Sequence, residues 1–332
     1  MTRLLSSRDM LARFTMSDVI PMVEAAYTQE SQCQVLSIPR LQLRSSQTQT
    51  FLNVLPALMP GMQVTGLNAY TGGNKGLGLV QKVILLFSTV DGRLLAMMEA
   101  DWISWMRTGA SSGVATKYLA RQDAHCAGIF GAGKQARSQL MALTAVRPIE
   151  RALVYSRTAE RRELYAREMS KRLNIDVRAV ESPEAVLREA DVICTATSSP
   201  TPVFEGQFVR QGTHINAIGQ HYPDRREVDS ELVLRSRVVV DHRQRALQED
   251  GEILIPLRDG LFDEEHIFAS LGEIVGGTKV ARTGDEITLF TSGGLAGEVL
   301  SVANGVYGVA QQEGWGLEVD WDVETEYWKG EG

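Results

Sequence analysis

A glycine-rich segment carries the clearest chemical signal in this sequence of 332 residues. Residues 131–136 read Gly-Ala-Gly-Lys-Gln-Ala and follow directly on the apolar run Cys126–Phe130, so strand, loop and helix are expected in that order. In a G-x-G-x-x-A loop the first glycine permits a tight turn, the second lets a pyrophosphate approach the backbone, and the small third residue lets helix and strand pack closely. The helix N-terminus adds unpaired N–H groups for the phosphates. We expect a dinucleotide site that includes Gly131, Gly133, Lys134, Gln135 and Ala136.

The same glycines match a P-loop over part of its length. Residues 128–134 read Gly-Ile-Phe-Gly-Ala-Gly-Lys, which fits the pattern up to its lysine. The next residue is Gln135, where a P-loop needs a serine or threonine hydroxyl to hold magnesium. Because that ligand is missing, a nucleoside triphosphatase is disfavoured.

The end of the second predicted strand bears on which nicotinamide cofactor is used. A carboxylate at this point would bond the ribose 2′-hydroxyl, but Val154 and Tyr155 are followed here by Ser156, Arg157 and Thr158. An arginine and two hydroxyls suit a 2′-phosphate, which favours NADP(H). Two alternatives stay open for Arg157: it stacks over the adenine, or it is a solvated cation at a helix start.

Two parts of the chain, with different orders of strands and helices, are expected to position these residues. Between residues 35 and 100 the sequence predicts antiparallel strands, with runs at 38–44 and 50–55 around a polar turn and runs at 79–87 and 93–98 around Val90-Asp91-Gly92. A small-residue helix is expected over about 102–120. From Cys126 onward, short apolar runs alternate with helical stretches, which is typical of βαβ units and a parallel sheet.

The last long apolar helix, expected over about 295–311, lies beyond that sheet and could pack back on the first part of the chain. We therefore expect an α/β fold with a Rossmann-type, doubly wound parallel sheet domain over 119–299. It is inserted in an α+β substrate-binding domain made of residues 1–118 and 300–332.

Charge and composition exclude several classes of protein. The formal net charge is −7, and the segment 313–332 alone holds seven carboxylates against one lysine, so the rest of the chain is nearly neutral. A nucleic-acid-binding protein should show a basic face instead. No run approaches the length of a membrane span, and the start has no signal-peptide core. The expectation is a cytoplasmic protein.

Cysteine and histidine spacing gives no sign of a metal site. The cysteines Cys33, Cys126 and Cys194 are odd in number and far apart, and the five histidines show no ligand spacing. We expect neither a disulfide framework nor a bound metal.

Several segments together resemble the ornithine cyclodeaminase and mu-crystallin family, which includes archaeal-type alanine dehydrogenases and imine reductases. They occur in the family's order and cover roughly residues 35–310. The matching segments are Arg107-Thr108-Gly109-Ala110, Tyr118-Leu119-Ala120-Arg121, the glycine loop at 131–136, the run Ala190–Thr197, Asn216-Ala217-Ile218-Gly219, and Phe290-Thr291-Ser292-Gly293-Gly294-Leu295-Ala296.

The resemblance implies a homodimer built through the strand-rich domain and an active site in the cleft between the domains. It also implies that Arg40 and Arg107 bind the substrate carboxylate, for which a guanidinium fork is well suited. Arg107 lies between apolar Met106 and the small-residue helix, where an unpaired charge would be costly, so a ligand or an ion partner is expected. The further cofactor contacts expected are Thr108, Thr195, Ala196, Thr197, Ile218 and Ser292.

At two positions this chain differs from the family, and these differences narrow the set of reactions expected of it. Cyclodeaminases carry an aspartate where this chain has His221, and an imidazole cannot supply the same fixed negative charge. The family's lysine is replaced by Asn68, which we place among the substrate-binding residues. Lys75 follows in a glycine-rich segment and is expected to replace the missing cation, with an exposed loop lysine as the alternative. Lys82, in the next strand, points either into the cleft or outward.

These residues predict hydride transfer from NAD(P)H to a small 2-imino acid or cyclic ketimine, with Arg40 and Arg107 holding the carboxylate. His221 or Lys75 would manage the nitrogen's proton, since an imidazole titrates near neutral pH. Because the expected pocket is more cationic than that of a cyclodeaminase, a second acidic group on the substrate is favoured, as in iminosuccinate. Pyruvate with ammonia, or a cyclic ketimine, fits the same site.

Two other functions remain alternatives. One is a cyclodeaminase-like ammonia-lyase, which the departures at His221 and Asn68 disfavour. The other is a non-catalytic, mu-crystallin-like protein that binds NADP and a small molecule. The presence of both arginines favours an enzyme.

Overall fold

The computed structural model describes residues 1–72, 80–219 and 222–320, which group into two compact units. The first unit comprises Met1–Phe14, Gln34–Ser104 and the chain from Val299 onward, and the second comprises Thr15–Cys33 and Trp105–Glu298. The compact units divide the chain differently from the sequence-based boundaries, since residues 15–33 and 105–118 group with the second unit. The domain assignment of 119–299 within 1–118 and 300–332 stays a prediction.

The first unit is built on a mainly antiparallel sheet. Its strand order is β16-β1-β7-β6-β5-β4-β2, with β3 paired to β4, and β1 runs parallel to β7. Numbered along the whole chain, its strands are β1 (Thr2–Leu5), β2 (Leu36–Ser37), β3 (Leu41–Arg44), β4 (Phe51–Met59), β5 (Val64–Gly72), β6 (Val80–Ser88), β7 (Leu94–Glu99) and β16 (Leu317–Val319).

The second unit contains a parallel sheet of order β10-β9-β8-β11-β12-β15-β13-β14. The chain runs from β8 outward through β9 to β10 and then returns to β11 on the other side of β8, so the strand order reverses between β8 and β11. The strands are β8 (Cys126–Phe130), β9 (Arg151–Tyr155), β10 (Asp176–Ala179), β11 (Val192–Thr195), β12 (His214–Ala217), β13 (Ser236–Val240), β14 (Ile267–Ser270) and β15 (Ile287–Thr291).

Helices connect and cover these strands, with short 3-10 turns at 60–62, 206–208 and 264–266. The helices are α1 (Ser7–Arg13), α2 (Met16–Ser31), α3 (Ala100–Leu119), α4 (Lys134–Val146), α5 (Ala159–Leu173), α6 (Pro183–Glu189), α7 (Ser230–Arg235), α8 (Arg243–Glu249), α9 (Gly251–Arg258), α10 (Leu271–Val275) and α11 (Ala296–Glu313).

The burial of the strands differs between the two sheets. All residues of β8, β11, β12 and β15 are buried, as expected for strands covered on both faces. In β6 of the first unit, Ile84 and Leu86 are fully buried while the residues between and beside them are only half-buried. One face of β6 is therefore buried, and its other face stays partly open.

The predicted fold class is confirmed. The sequence predicted antiparallel pairs at β3–β4 and β6–β7 and alternating strands and helices from Cys126 onward, and the structure contains them. The β6–β7 connection turns at Gly92, whose φ is +75° and whose N–H donates to Ser88 O at 3.1 Å. Within the described residues, no helix is long and apolar enough to cross a membrane.

Candidate functional site

The glycine loop connects β8 to α4 and leaves room at its second glycine. Gly131 has a φ of +108° and its N–H donates to Tyr155 O at 2.8 Å, and a Cβ on it would lie 2.5 Å from Ala196 O. Gly133 is the N-cap of α4, where no described side chain caps the helix. A Cβ on Gly133 would meet no described atom within 4 Å. The start of α4 is thus uncapped by a side chain and open at Gly133, and this geometry fits a dinucleotide pyrophosphate.

The carboxyl ends of four strands form one row beside this loop. Ala196 N donates to Phe130 O at 2.9 Å, and Ile218 N donates to Thr195 O at 3.2 Å. Ser292 N donates to Ala217 O at 3.3 Å, which extends the row to β15. The structure therefore brings the predicted cofactor residues Thr195, Ala196, Thr197, Ile218 and Ser292 to the edge where open α/β sheets bind ligands, next to the point where the strand order reverses.

The predicted ribose-binding residues follow β9. Ser156 is half-buried, while Arg157 and Thr158 are exposed. The backbone of Ser156 is fixed by Arg162, whose Nη1 donates to its carbonyl at 2.9 Å. Thr158 is the N-cap of α5 but makes no capping bond with its side chain within the described structure. Its hydroxyl and the Arg157 guanidinium can therefore reach a ligand at this helix start.

Two residues that the sequence analysis did not single out support the glycine loop. Arg137 Nη1 donates to the carbonyls of Ala132 at 2.9 Å and Gly133 at 3.0 Å. Trp105 Nε1 donates to Lys134 O at 2.7 Å. Arg137 lies four residues after Gly133, which is the spacing of one helical turn and could have indicated this contact. Trp105 lies 29 residues before Lys134, and no local pattern marks it.

Helix α3 lies close to α4 and brings Thr108 beside the loop helix. Gln139 Nε2 donates to Thr108 O at 3.3 Å. At Gly109 an added Cβ would lie 2.6 Å from Ser138 O, so only a glycine allows this approach. The predicted cofactor contact Thr108 therefore lies next to the helix that carries Lys134, Gln135 and Ala136.

A buried glutamate, Glu227, ties two strand ends together. Its carboxylate accepts hydrogen bonds from Thr197 N at 2.6 Å and Gly219 N at 2.7 Å. Burial raises the pKa of Glu227, while these hydrogen bonds act in the opposite direction. Sequence reasoning missed this residue because it lies in a loop, 30 residues from Thr197.

Arg107 has an ion partner within the second unit. Its Nη1 donates to Glu298 Oε2 at 2.9 Å, and the Glu298 side chain is only 1% exposed. The Nε atom of Arg107 is buried and has no hydrogen-bond partner among the described residues. The sequence predicted that Arg107 needs a ligand or an ion partner. Glu298 supplies the ion partner, and Arg107 Nε stays without a partner among the described residues.

Asp241 is a second buried carboxylate in this region. It accepts from the N–H groups of Gly293 at 2.9 Å and Gly294 at 3.0 Å, and from Ser292 Oγ at 3.0 Å. Arg245 Nε donates to it at 2.6 Å. Asp241 directly follows β13 at the carboxyl edge of the sheet, and that position was a signal that the sequence analysis did not use.

The remaining predicted substrate residues belong to the first unit. Arg40 Nε and Asn68 Oδ1 are both buried and lack a hydrogen-bond partner in the described part of the chain. Asn68 lies on β5 and is 5% exposed. Lys82 Nζ lies 3.8 Å from Asp101 Oδ1 and 6.0 Å from the Tyr70 ring centroid.

The predicted proton-handling residues Lys75 and His221 lie outside the described residues. Across residues 1–72, 80–219 and 222–320, no group of three or more His, Cys, Asp or Glu side chains could hold a metal ion.

Comparison with known proteins gives consistent relatives. A family model, ornithine cyclodeaminase/mu-crystallin family, matches residues 2–314. A Delta(1)-pyrroline-2-carboxylate reductase of Bacillus cereus is 34% identical over 311 residues, covering 92% of this chain and 95% of that protein.

Two solved structures match nearly the whole chain. Thermococcus litoralis Delta(1)-pyrroline-2-carboxylate reductase, in complex with NADH and L-proline, has a TM-score of 0.91 and 40% identity, covering 96% of this chain and 100% of that one. An archaeal alanine dehydrogenase dimer with bound NAD has a TM-score of 0.89 and 31% identity, covering 97% and 99%. On the family match and these identities, the chain belongs to the ornithine cyclodeaminase/mu-crystallin family.

Proposed function

We propose that this protein is an NAD(P)H-dependent reductase that converts a small 2-imino acid or cyclic ketimine into the amino acid. The observation that carries the proposal is that Arg40 Nε, Asn68 Oδ1 and Arg107 Nε are buried without a hydrogen-bond partner among the described residues. Buried polar atoms are nearly always hydrogen-bonded, so each of these three atoms has donor or acceptor capacity left for a ligand. An imino acid offers carboxylate oxygens to the arginines and a protonated nitrogen to the amide oxygen of Asn68.

Delta(1)-pyrroline-2-carboxylate is the first substrate to test, because the relatives in Bacillus cereus and Thermococcus litoralis bear its name. Its single carboxylate matches the two arginines, and its ring is largely apolar. Iminosuccinate and the imine of pyruvate are the other candidates. Iminosuccinate would need a further cation, for which Lys75 is the proposed residue.

In this proposal, the chain's own residues bind and orient the substrate. Arg40 and Arg107 hold the substrate carboxylate, which fixes the imine carbon at a set distance and angle and so lowers the entropic part of the barrier. A reduced nicotinamide dinucleotide would supply the hydride when bound at the glycine loop and along the carboxyl ends of the parallel strands. Glu227 keeps the backbone of Thr197 and Gly219 in place beside it.

Proton handling at the imine nitrogen is assigned to His221 or Lys75. Reduction requires a protonated imine, and an imidazole with a pKa near neutrality can supply or accept that proton. The support for both residues is their position in the sequence.

We further propose a preference for NADPH. Arg157 is exposed and forms no hydrogen bond or ion pair with the described residues, so its guanidinium is available to a 2′-phosphate. The Thr158 hydroxyl and the N-terminus of α5 lie at the same place. The solved relatives hold NADH and NAD, so the comparison of both cofactors is part of the test.

We propose a homodimer in the cytoplasm. The sheet of the first unit carries exposed apolar side chains on β2, β3, β4 and β6, and such a patch marks an interaction surface. A groove of about 1080 Å³ crosses this sheet, lined among others by Leu4, Leu52, Met97 and Lys82. The archaeal alanine dehydrogenase relative is a dimer.

The cytoplasm is proposed because the reaction draws on the cell's reduced nicotinamide cofactor.

The test is oxidation of NADPH and NADH with pyrroline-2-carboxylate, with oxaloacetate plus ammonia, and with pyruvate plus ammonia. We expect turnover of at least one imine. The variant Arg107→Ala should lower kcat/KM by about 100-fold or more, because it removes a charged partner of the carboxylate, and should change the cofactor Kd by less than about twofold. Cofactor binding without turnover of any imine would instead support a small-molecule binding protein.

A further inference from the structure

We infer that Glu298 is a positioning residue for substrate binding. It fixes the Arg107 guanidinium in the orientation that binds the substrate carboxylate. The inference rests on the proposed function, in which Arg107 binds that carboxylate. It adds a residue that neither the sequence motifs nor the family resemblance assigned to the site.

The Arg107 guanidinium uses one donor to bind Glu298 and keeps others for a ligand. A guanidinium has five N–H donors in a fixed fork. Among the described residues, Glu298 is the hydrogen-bond partner of Arg107, through Nη1. The buried Nε has no partner there, and the side chain is 16% exposed. One edge of the fork is therefore held by protein, while donors on the rest of it remain for a ligand.

Glu298 is itself rigidly held. Tyr27 Oη donates to Glu298 Oε1 at 2.5 Å, and Ser111 Oγ donates to the same oxygen at 3.0 Å. Leu295 N approaches Oε2 at 3.4 Å. Burial and the charge of Glu298 raise the pKa of Tyr27 well above its usual value, so the phenol keeps its proton and remains a donor. A carboxylate bound on both oxygens has little freedom to move away from Arg107.

The backbone also borders the guanidinium. Gly294 has a φ of +85°, and a Cβ on it would lie 2.0 Å from Arg107 Nη1. Asp241 holds the N–H groups of Gly293 and Gly294, and it is itself fully buried and paired with Arg245. The guanidinium is thus bounded by a fixed carboxylate and by a fixed turn, which restricts its orientation.

Fixing a guanidinium in advance lowers the entropy lost when the substrate carboxylate binds. Glu298 also offsets the cost of an unpaired buried charge before substrate arrives. An amide in its place keeps an acceptor but not the charge, so Arg107 would gain alternative orientations. The expected consequence is weaker substrate binding with little change in the chemical step.

The test uses full-length Glu298→Gln and Glu298→Asp with pyrroline-2-carboxylate and NADPH. For Glu298→Gln we expect KM to rise by about 10-fold to 100-fold, kcat to change by less than about threefold, and the NADPH Kd to stay within about twofold. Glu298→Asp should recover part of the loss. In an Arg107→Ala background, Glu298→Gln should add less than about twofold, because the two residues act as one unit.

Asp191→Asn is the matched control. Asp191 is also a buried carboxylate, with Arg121 Nη2 at 2.8 Å, but it accepts from Cys126 N at the start of β8, away from the carboxyl row. It should lower stability while leaving KM within about twofold. Should Glu298→Gln fail to fold, Tyr27→Phe removes one donor to Glu298 and should raise KM in the same direction by a smaller factor.

The outcomes separate the two proposals. If Arg107→Ala raises KM and the Glu298 and Tyr27 variants do not, the positioning role is overturned and the proposed function stands. If no imine is turned over, the proposed function fails, and a crystal structure of Glu298→Gln still decides the inference. An Arg107 side chain in the same orientation as in the wild-type protein would overturn it, and a displaced one supports it.

Discussion

His214 is a fully buried histidine at the start of β12, and its imidazole is neutral at physiological pH. Its Nε2 lies 3.2 Å from Asn216 Oδ1 and its Nδ1 lies 2.9 Å from Thr288 Oγ1. Because the Asn216 oxygen can only accept, Nε2 carries the proton. The Thr288 hydroxyl beside Nδ1 also donates to Leu119 O at 3.2 Å. Burial lowers the pKa of His214 from its usual value to about 3.

This neutral histidine makes stability depend on pH. In the unfolded chain a histidine has a pKa of about 6.5, so between about pH 3 and pH 6.5 the unfolded state binds a proton that the native state does not. The free energy of unfolding should therefore fall as pH decreases through this window, by up to about 1.4 kcal/mol per pH unit.

The variant His214→Gln lacks this group, while every other titrating group is shared with the wild-type protein. We expect the wild-type protein to lose more stability than His214→Gln between about pH 6.5 and pH 5, measured by urea unfolding. Parallel pH profiles for the two proteins would contradict the assigned neutral state.

Some side-chain roles could be read from the sequence and others could not. The glycine loop and the need of Arg107 for a partner follow from local pattern and from the cost of a buried charge. The partner itself, Glu298, is 191 residues away, and no local spacing connects the two. Glu227 is similar, because its function depends on two strand ends that only the folded sheet brings together.

At the scale of elements, the contact of α3 with α4 sets the position of the candidate site. Gly109 lies against Ser138, where an added Cβ would lie 2.6 Å from the carbonyl oxygen and 2.8 Å from the Ser138 Cβ. Both contacts are with atoms that cannot move without moving the helix. A larger residue must therefore separate α3, with Arg107 and Thr108, from the helix of the glycine loop.

We expect Gly109→Ala to lower stability by about 1–3 kcal/mol through overpacking and to weaken cofactor binding. Gly308→Ala is the control, because Gly308 lies within α11 and a Cβ there would meet no described atom within 4 Å. That substitution should stabilise the helix by about 0.5–1 kcal/mol. Denaturant unfolding and NADPH titration of both variants give the comparison, and equal effects would refute the steric argument.

The alternating strands and helices of the second unit could be predicted because its buried strands are mainly apolar runs separated by helical stretches. Helix α2 was not predicted, although its buried residues Met16, Val19, Ile20 and Val23 follow helical spacing. Its Pro21 lies inside the helix and obscures the pattern. The strands β1 and β16 are neither continuous apolar runs nor part of a repeating order of strands and helices, and each is stabilised by its partner in the sheet.

At the scale of the molecule, the first unit's sheet exposes several large apolar side chains along one edge. Leu36, Leu41, Leu43 and Leu52 are 40–71% exposed and lie on neighbouring strands at this edge. A second copy of the chain would remove them from water, and hydrophobic burial of that kind stabilises an association.

We expect the wild-type protein to sediment as a dimer and Leu43→Glu to shift it toward monomer, since a carboxylate in an apolar interface is costly. Leu43 is 71% exposed. Leu164→Glu is the control, because Leu164 is 53% exposed but lies on α5 in the second unit. Analytical ultracentrifugation checks this, and a monomeric wild-type protein, or equal behaviour of both variants, would rule out the proposed interface.

The pairing of β1 with β7 and β16 has a consequence for how the protein is made. Strand β1 ends at Leu5, but its antiparallel partner β16 begins at Leu317. A ribosome that adds roughly 5–20 residues per second needs roughly 15–60 s to synthesise the chain between them. All strands of the parallel sheet, β8 to β15, are synthesised within that interval, so they can pair while one edge of β1 has no partner. That edge of β1 stays open to other chains until β16 is made.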